Sequence, residues 1–381
     1  MTDARRGSFW HRAGPIAALG ALLVSAATTE GCSCGDNGSA NGGGGATSSS
    51  SSAGGGTTSS TGTMGTGGTG GTNQGGGGTN PGTLQAKQVS NDPASFASPF
   101  DATPDPAGTS TMYFTGLDTA GLPGVFKVPM GGGSVTTISK GPPLVTPFGI
   151  ATSSDGSQLY VADPGGEPGS TDRGVIWSMG TALDQTPMPV NGSGGKSARS
   201  LVLTVENNAD VLYFTGFDDA AGEAAVYKLA TNGGMANKVV GGAPMRDPSG
   251  IAVAANGDLY VADTVGSTSH EAQIVKIHNG AASPWVTDLK VNYPAGVALT
   301  KDGKTLLVSS LDPDANTDVI VQIDVATKTE TDFTHSGSVN LTTLIEAAGM
   351  HRAVSSNVFG WVDSAAGDMS AGTVYSLKFV P

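Results

Sequence analysis

Six aspartates recur at one position of a repeated motif, and carboxylates repeated in this way could do chemistry. Each ends a short apolar run, such as "MYFTGLD" or "LYVAD", and together they are Asp118, Asp163, Asp218, Asp263, Asp312 and Asp363. A ring of carboxylates could collect a cation, or each aspartate could cap the amides of its own loop. Because every copy has the feature, we favour the capping role.

A second group of acidic residues resembles half of a calcium-binding loop. The string "DPDANTD" places Asp312, Asp314, Asn316 and Asp318 at alternate positions. Thr317 stands where the sharp turn of such a loop uses glycine, and the bidentate glutamate downstream is missing. The sequence therefore allows a weak calcium site here, with a plain acidic surface loop as the alternative.

Two further motifs resemble functional motifs, but ordinary loops explain both of them better. "GSGGKS" (192–197) has Val190 where a phosphate-binding loop needs its first glycine, and no strand-to-helix setting surrounds it. His270 lies between Ser269 and Glu271, but neighbours in one loop seldom form a catalytic triad. We interpret His270 as a solvated loop histidine.

The elements that position these residues repeat along the chain. The strings "LYVAD" at 159 and at 259 and "FGWVD" at 359 are each offset by 100 residues. A second series, at 112, 212 and 306, alternates with them. Self-similarity at a fixed period is typical of repeat folds, so the spacing predicts six units of about 50 residues.

Each unit contains four short β-rich runs. A strand such as "PSGIAVA" precedes the aspartate strand across an Asp-Gly or Asn-Gly turn, which favours a tight hairpin. A third strand such as "QIVKIH" follows the aspartate, and most units have a fourth. One such sheet alone would leave both of its faces exposed, so the units must pack against one another around an axis. The pattern therefore predicts an all-β six-bladed β-propeller with four antiparallel strands per blade.

The two ends of the chain are predicted to close the ring together. The sixth unit lacks a fourth strand, because the chain finishes soon after its third. The segment 84–100 matches 134–148, an outer strand that leads into the next blade. Residues 84–90 should therefore complete the last blade. Within that blade, 340–354 ("NLTTLIEAAGMHRAV") has a helical pattern.

The strings "PSGIAVAANGDLYVAD" and "PFGIATSSDGSQLYVAD" resemble the NHL repeat and its six-bladed relatives, the gluconolactonase and strictosidine-synthase-like groups. The gluconolactonase resemblance implies metal ligands between the Pro and Gly of the innermost strands. Those positions here are Phe148, Ser249 and Ala295, and Asp101 is the one inner-strand carboxylate nearby. The resemblance thus implies the fold more than the lactonase activity.

Residues 1–83 precede the repeats. Residues 1–31 have a basic start and an apolar run that is too short to span a bilayer, which predicts a signal peptide. "TTEGC" resembles a lipobox and makes Cys32 the expected lipidation site, with ordinary cleavage near Ala26 as the alternative. Residues 32–83 are almost only Gly, Ser, Thr and Asn and predict a disordered linker before the propeller at 84–381.

The net charge limits the possible binding partners, and the cysteine positions limit the possible disulfides. The net charge of −13 and the lack of a basic stripe argue against nucleic acid. Both cysteines lie at positions 32 and 34, so we expect no disulfide in the propeller. We expect an exported monomer at the bacterial envelope, or one released to the periplasm or medium, that contacts the membrane only through its lipid anchor.

Loop lengths suggest where a ligand would bind. The loops after the even aspartates are longer than those after the odd ones, and binding residues favour such loops on a rigid scaffold. The candidate binding face comprises Asp163, Glu167, Asp172, Arg173, Asp263, His270, Glu271 and Asp363. The first hypothesis is a non-catalytic binding or scaffold module for an unidentified protein, glycan or small molecule. The alternative is a hydrolase or lyase in the central channel, calcium-dependent if the Asp312–Asp318 loop binds the ion, with no other cofactor indicated.

Overall fold

The computed structural model describes most of the chain from residue 83 onward. The predicted signal peptide, Cys32 and the predicted linker up to residue 82 lie outside the described residues. The described ranges are 83–166, 174–264, 272–289, 296–312, 317–333, 335–336, 339–340 and 347–380. All of the repeat units predicted from the sequence fall at least partly within them.

Three four-stranded antiparallel sheets follow one another in the first half of the propeller. Blade one comprises β2 to β5, which span Ala97–Pro104, Thr111–Leu117, Pro123–Pro129 and Thr136–Lys140. Blade two comprises β6 to β9, which span Gly149–Thr152, Gln158–Asp163, Val175–Gly180 and Met188–Pro189. Blade three comprises β10 to β13, which span Ser200–Glu206, Ala209–Asp218, Glu223–Ala230 and Asn237–Gly241.

Three more sheets of the same kind complete the ring. Blade four comprises β14 to β17, which span Pro248–Val253, Leu259–Asp263, Ala272–His278 and Ala281–Leu289. Blade five comprises β18 to β21, which span Gly296–Leu299, Thr305–Asp312, Thr317–Asp324 and Glu330–Phe333. Blade six comprises β24 to β26 and β1, which span Ala347–Arg352, Val358–Asp363, Thr373–Val380 and Thr83–Ser90.

Among the described residues, two small elements lie outside the blades. A two-stranded hairpin, β22 (His335–Ser336) with β23 (Val339–Asn340), lies between blades five and six in the sequence. A single 3-10 turn spans Asp368–Ser370. Within the described ranges, no helix has the length and apolar character needed to cross a membrane.

The last blade confirms the predicted closure. β1 pairs antiparallel with β26 from Thr83 opposite Val380 to Ser90 opposite Val374. The first strand of the propeller thus supplies the outer strand of the last sheet, and this strand begins at Thr83, one residue before the predicted boundary. The helical pattern over 340–354 was misleading, because residues 347–352 form β24, the innermost strand of blade six. Pairing with β25 decides its conformation, since tertiary context overrides local propensity.

Strand register defines two faces of the ring. In blade six, Asp363 pairs with both Ala347 and Thr373, so the first strand begins where the second ends and the third begins. We call this side the upper face. The third strand ends at Val380 opposite Thr83, so the chain enters β1 from the other side, the lower face. The second strands of the blades, which end at or next to the six aspartates, therefore end on the upper face.

The innermost strands stand side by side around the axis, in the order β2, β6, β10, β14, β18, β24 and back to β2. A shared glycine position makes this possible. A Cβ added to Gly250 would lie 2.9 Å from the backbone nitrogen of Val297 in the next blade, and a Cβ on Gly296 would overlap Met350. Hydrophobic clusters fill the space between successive sheets, so the core is a set of inter-blade layers.

Candidate functional site

The aspartates of blades two and four secure the chain that enters their own blade. Asp163 is completely buried and accepts hydrogen bonds from the amides of Val145 and Thr146, each at 2.8 Å. Asp263, equally buried, accepts them from Arg246 and Asp247 at 3.1 and 2.7 Å. Burial raises the pKa of both carboxyls, while the amide donors act in the opposite direction. These side chains lock the crossover between blades.

The aspartates of blades one and three act within their own hairpin. Asp118 accepts hydrogen bonds from the amides of Ala120 and Leu122, both at 2.9 Å, and pairs with Lys140 at 3.3 Å. Asp218 is bound in the same way by two loop amides and by Lys238 at 2.9 Å. The Lys238 ammonium and the amides hold the pKa of Asp218 below its usual value. Blades one and three thus use this aspartate within their own hairpin, whereas blades two and four use it to hold the chain that enters the blade.

Several predicted site residues take structural positions or fall outside the described residues. Asp163, Asp263 and Asp363 have no exposed surface, and Asp363 caps the amides of Ala365 and Ala366 at 3.1 and 2.9 Å. The rest of the proposed binding face lies outside the described residues, namely Glu167, Asp172, Arg173, His270 and Glu271. That face remains a prediction.

The possible calcium loop also remains a prediction. Asp314 and Asn316 lie outside the described residues, and only the backbone of Asp312 and Asp318 is described, at the facing ends of β19 and β20. Elsewhere in the described chain, no three His, Cys, Asp or Glu side chains gather as metal ligands would.

A buried carboxylate–imidazole pair lies where the innermost strands meet. Nε2 of His351, on β24, is 2.6 Å from Oδ2 of Asp101, on β2, although the two residues are 250 positions apart in sequence. The side chain of His351 is 6% exposed and that of Asp101 is 2% exposed. The pair therefore ties the last blade to the first with almost no contact with solvent.

Blade two also contributes to this pair. Oδ2 of Asp101 accepts the amide hydrogen of Ile150 at 2.9 Å, and Oδ1 accepts that of Ala102 at 2.8 Å. Burial raises the pKa of Asp101, opposed by His351 and the two amides. Thr115 pairs with Asp101 across the strands, and its buried hydroxyl lacks a hydrogen-bond partner in the described part of the chain. An Asp–His pair can move a proton, but here it is closed off from solvent.

The repeat itself could have revealed this pair. Strand register puts Asp101 at the position of Gly149, Gly250 and Gly296, and it puts His351 at the position held by alanine in blades two, four and five. Both residues depart from the repeat consensus. The carboxylate of Asp101 is recognisable from the sequence, but its partner is not, because the two residues belong to the first and last blades.

Apolar and charged side chains share the upper mouth of the channel. The half-buried rings of Phe100 and Phe148 meet edge to face with centroids 5.5 Å apart. Arg199, at the entrance of blade three, pairs with Asp247 at 2.7 Å. Ser249 is buried against its own sheet, 3.4 Å from the carbonyl oxygen of Ala262. The mouth thus combines an aromatic pair on one side with an ion pair on the other.

Comparisons with known proteins find one matching repeat and several distantly similar structures. The NHL repeat profile matches residues 245–271. Among solved structures, a chain of a nidogen/laminin complex has a TM-score of 0.48 and 19% identity, covering 65% of this chain and 82% of that one. A protein of unknown function from Dyadobacter fermentans has a TM-score of 0.49 and 10% identity, covering 77% and 98%.

TolB from Acinetobacter baumannii has a TM-score of 0.47 and 11% identity, covering 66% of this chain and 63% of that one. A search of the curated proteins finds no match to this sequence. Six four-stranded sheets in a closed ring and a matched repeat in blade four define the architecture. The chain is a six-bladed β-propeller that carries an NHL repeat.

Proposed function

We propose that this protein is a non-catalytic binding module whose upper face holds its ligand. The observation that carries the proposal is the use of the repeated motif aspartates as loop anchors: the five whose side chains are described all bind loop amides of the upper face. Anchoring of a loop segment reduces the freedom that it loses on binding a ligand, which lowers the entropic cost of binding. The axial Asp101–His351 pair is meanwhile closed to solvent.

The position of the first strand supports a tethered arrangement. The chain enters β1 at Thr83 on the lower face, so the loops that follow the aspartates lie on the opposite side of the ring. We propose that acylation of Cys32 anchors the protein at the bacterial envelope, with residues 33–82 as its tether. Fatty-acid labelling of the wild-type chain that disappears in Cys32→Ser is the expected result. Labelling that persists in the variant would refute the anchor.

Site-specific photo-crosslinking in intact bacteria tests the binding face. Benzoylphenylalanine would replace Asp219 or Asp368, two exposed upper-face residues, and Asp184, an exposed lower-face residue, as the matched control. We expect discrete crosslinked species from at least one upper-face position and none from the control. Adducts from Asp184 alone, or from none of the three, would contradict the proposal.

A channel-centred hydrolase or lyase is the second candidate, and the Asp101–His351 pair is the observation that favours it. An enzyme of this kind should turn over members of a lactone and ester panel and lose that activity in His351→Gln. If the enzyme depends on calcium, calcium should raise the Tm of the wild-type chain. The same addition should leave the Tm of Asp314→Ala unchanged. The absence of turnover across the panel, with and without calcium, would remove this candidate.

A further inference from the structure

The upper face carries a cluster of apolar side chains confined to three neighbouring blades. Met369 in blade six is 82% exposed, Leu122 in blade one is 43% exposed, and Val145 at the entrance of blade two is 38% exposed. The half-buried rings of Phe100 and Phe148 lie between them and the axis. We call these five residues the apolar arc. Methionine and aromatic residues are the types enriched in protein–protein interfaces.

Hydrogen bonds and a ring contact bring the segments of the arc next to one another. The Oγ of Ser364 donates to the carbonyl of Pro99 at 2.8 Å, which places the Met369 loop beside Phe100. The Phe100 and Phe148 rings touch, and Val145 lies three residues before Phe148. The amide of Gly141 donates to the carbonyl of Pro123 at 2.7 Å, which brings the turn that leads to Val145 beside Leu122.

The Met369 loop is held in an unusual conformation. Met369 and Ser370 both have φ of 55°, in the left-handed region that residues with a Cβ seldom occupy. Hydrogen bonds hold both ends of the loop. The carboxylate of Asp363 accepts from the amide of Ala366, and the amide of Ser98 donates to the carbonyl oxygen of Ala371 at 2.8 Å. Strained conformations persist where surrounding contacts impose them, and they cluster at functional sites. Here the strain presents an apolar side chain to solvent.

Two aspartates that solvent can reach border the arc. The segments that form it, 91–100, 118–123, 140–148, 163–166 and 363–373, contain five aspartates and one lysine, Lys140. Asp118, Asp163 and Asp363 are buried, whereas Asp92 is half-buried and Asp368 is exposed. Lys140 already pairs with Asp118. Among the described residues, neither Asp92 nor the exposed Asp368 takes part in a salt bridge. A partner with complementary charge would be basic.

We propose that the apolar arc docks a protein segment in which a large apolar side chain is flanked by lysine or arginine. The apolar side chain packs against Met369, Leu122 and the aromatic pair, and the basic residues face Asp368 and Asp92. This inference rests on the proposed binding function and names the class of its partner. If this inference is wrong, the proposed binding function can still be correct. Crosslinks from Asp219 in blade three, without crosslinks from Asp368, would show that case.

Selection from a phage-displayed library of random peptides, with the full chain as bait, tests the inference. The double variant Met369→Ser/Leu122→Ser removes the arc, and Met235→Ser is the matched control, because Met235 is also 82% exposed but lies on the lower face. All three changes are at the surface, so the folded state should remain. We expect enriched peptides with a large apolar residue next to Lys or Arg. The double variant should bind them about tenfold more weakly, and the control should bind them normally.

Three outcomes would overturn the inference. The first is that no peptide is enriched, or that the enriched peptides are acidic. The second is that the double variant binds the selected peptides as tightly as the control does. The third is that the full chain floats with phosphatidylcholine vesicles and the double variant does not. The arc would then contact a lipid surface instead of a protein.

Discussion

Replacing His351 with alanine would leave the carboxylate of Asp101 buried without its imidazole partner. Both side chains are almost completely buried, so solvent cannot replace the lost contact. Removal of one partner of a buried pair typically costs 3–5 kcal/mol when the group that remains is charged. Because the amides of Ile150 and Ala102 still stabilise the carboxylate, we expect the lower end of this range, about 3 kcal/mol. This loss corresponds to a fall in Tm of roughly 6 °C for a domain of this size.

A second Asp–His pair in the chain provides the control. Nδ1 of His278 lies 2.5 Å from Oδ1 of Asp258, but the imidazole is 63% exposed and Lys276 also pairs with Asp258. His278→Ala should cost less than about 1 kcal/mol, as expected for an exposed pair. Urea denaturation at neutral pH, followed by tryptophan fluorescence, measures both variants under the same conditions.

The double variant Asp101→Gly/His351→Ala tests whether the charge is the cause. It restores the glycine and alanine that blades two and four carry at these positions, and it leaves no buried charge. We expect the double variant to be more stable than His351→Ala alone by about 1 kcal/mol or more. If His351→Ala costs no more than His278→Ala, or if the double variant is the less stable one, then the buried pair does not hold the first and last blades together.

Three further predictions follow from the ring and its electrostatics. Deletion of residues 83–90 should abolish the cooperative thermal transition, because blade six loses its outer strand; an unchanged melting curve would contradict the closure. Gly250→Ala should lower the midpoint of urea denaturation, because its Cβ would meet the next blade, whereas Gly131→Ala, with open space around it, should not. Asp258, whose pKa is lowered to about 2 by Lys276 and His278 against the effect of burial, should stabilise the fold fully above its ordinary pKa of 3.8 and lose that contribution as pH falls through about 2. An NMR titration midpoint near 3.8 would refute this assignment.

Much of the fold could be predicted because each blade repeats a local code. The alternation of short β-rich runs with Asn-Gly and Asp-Gly turns specifies hairpins, and the period of the motif specifies their number. The closing strand could also be predicted, since residues 84–90 match the outer strand of another blade. The conformation of 347–352 could not, because its helical pattern is local whereas its pairing with β25 is not.

Less of the candidate site could be predicted. The loop-capping role of the aspartates follows from their repetition, but their division into crossover anchors and hairpin anchors does not. The Asp101–His351 pair could not be predicted as a pair, because no local pattern relates residues 250 positions apart. The apolar arc was missed for the same reason, since its side chains come from three blades and none is unusual alone.

The sequence by itself determined the number of blades, the four strands in each, the closing strand and the position of the repeated aspartates. These properties depend on interactions between residues close in the chain, or on copies of one motif. Only the tertiary structure decided which side chains meet at the axis and which apolar groups share the upper face. Ring closure brings the first and last blades together, and the contacts that result are between residues that no sequence period relates.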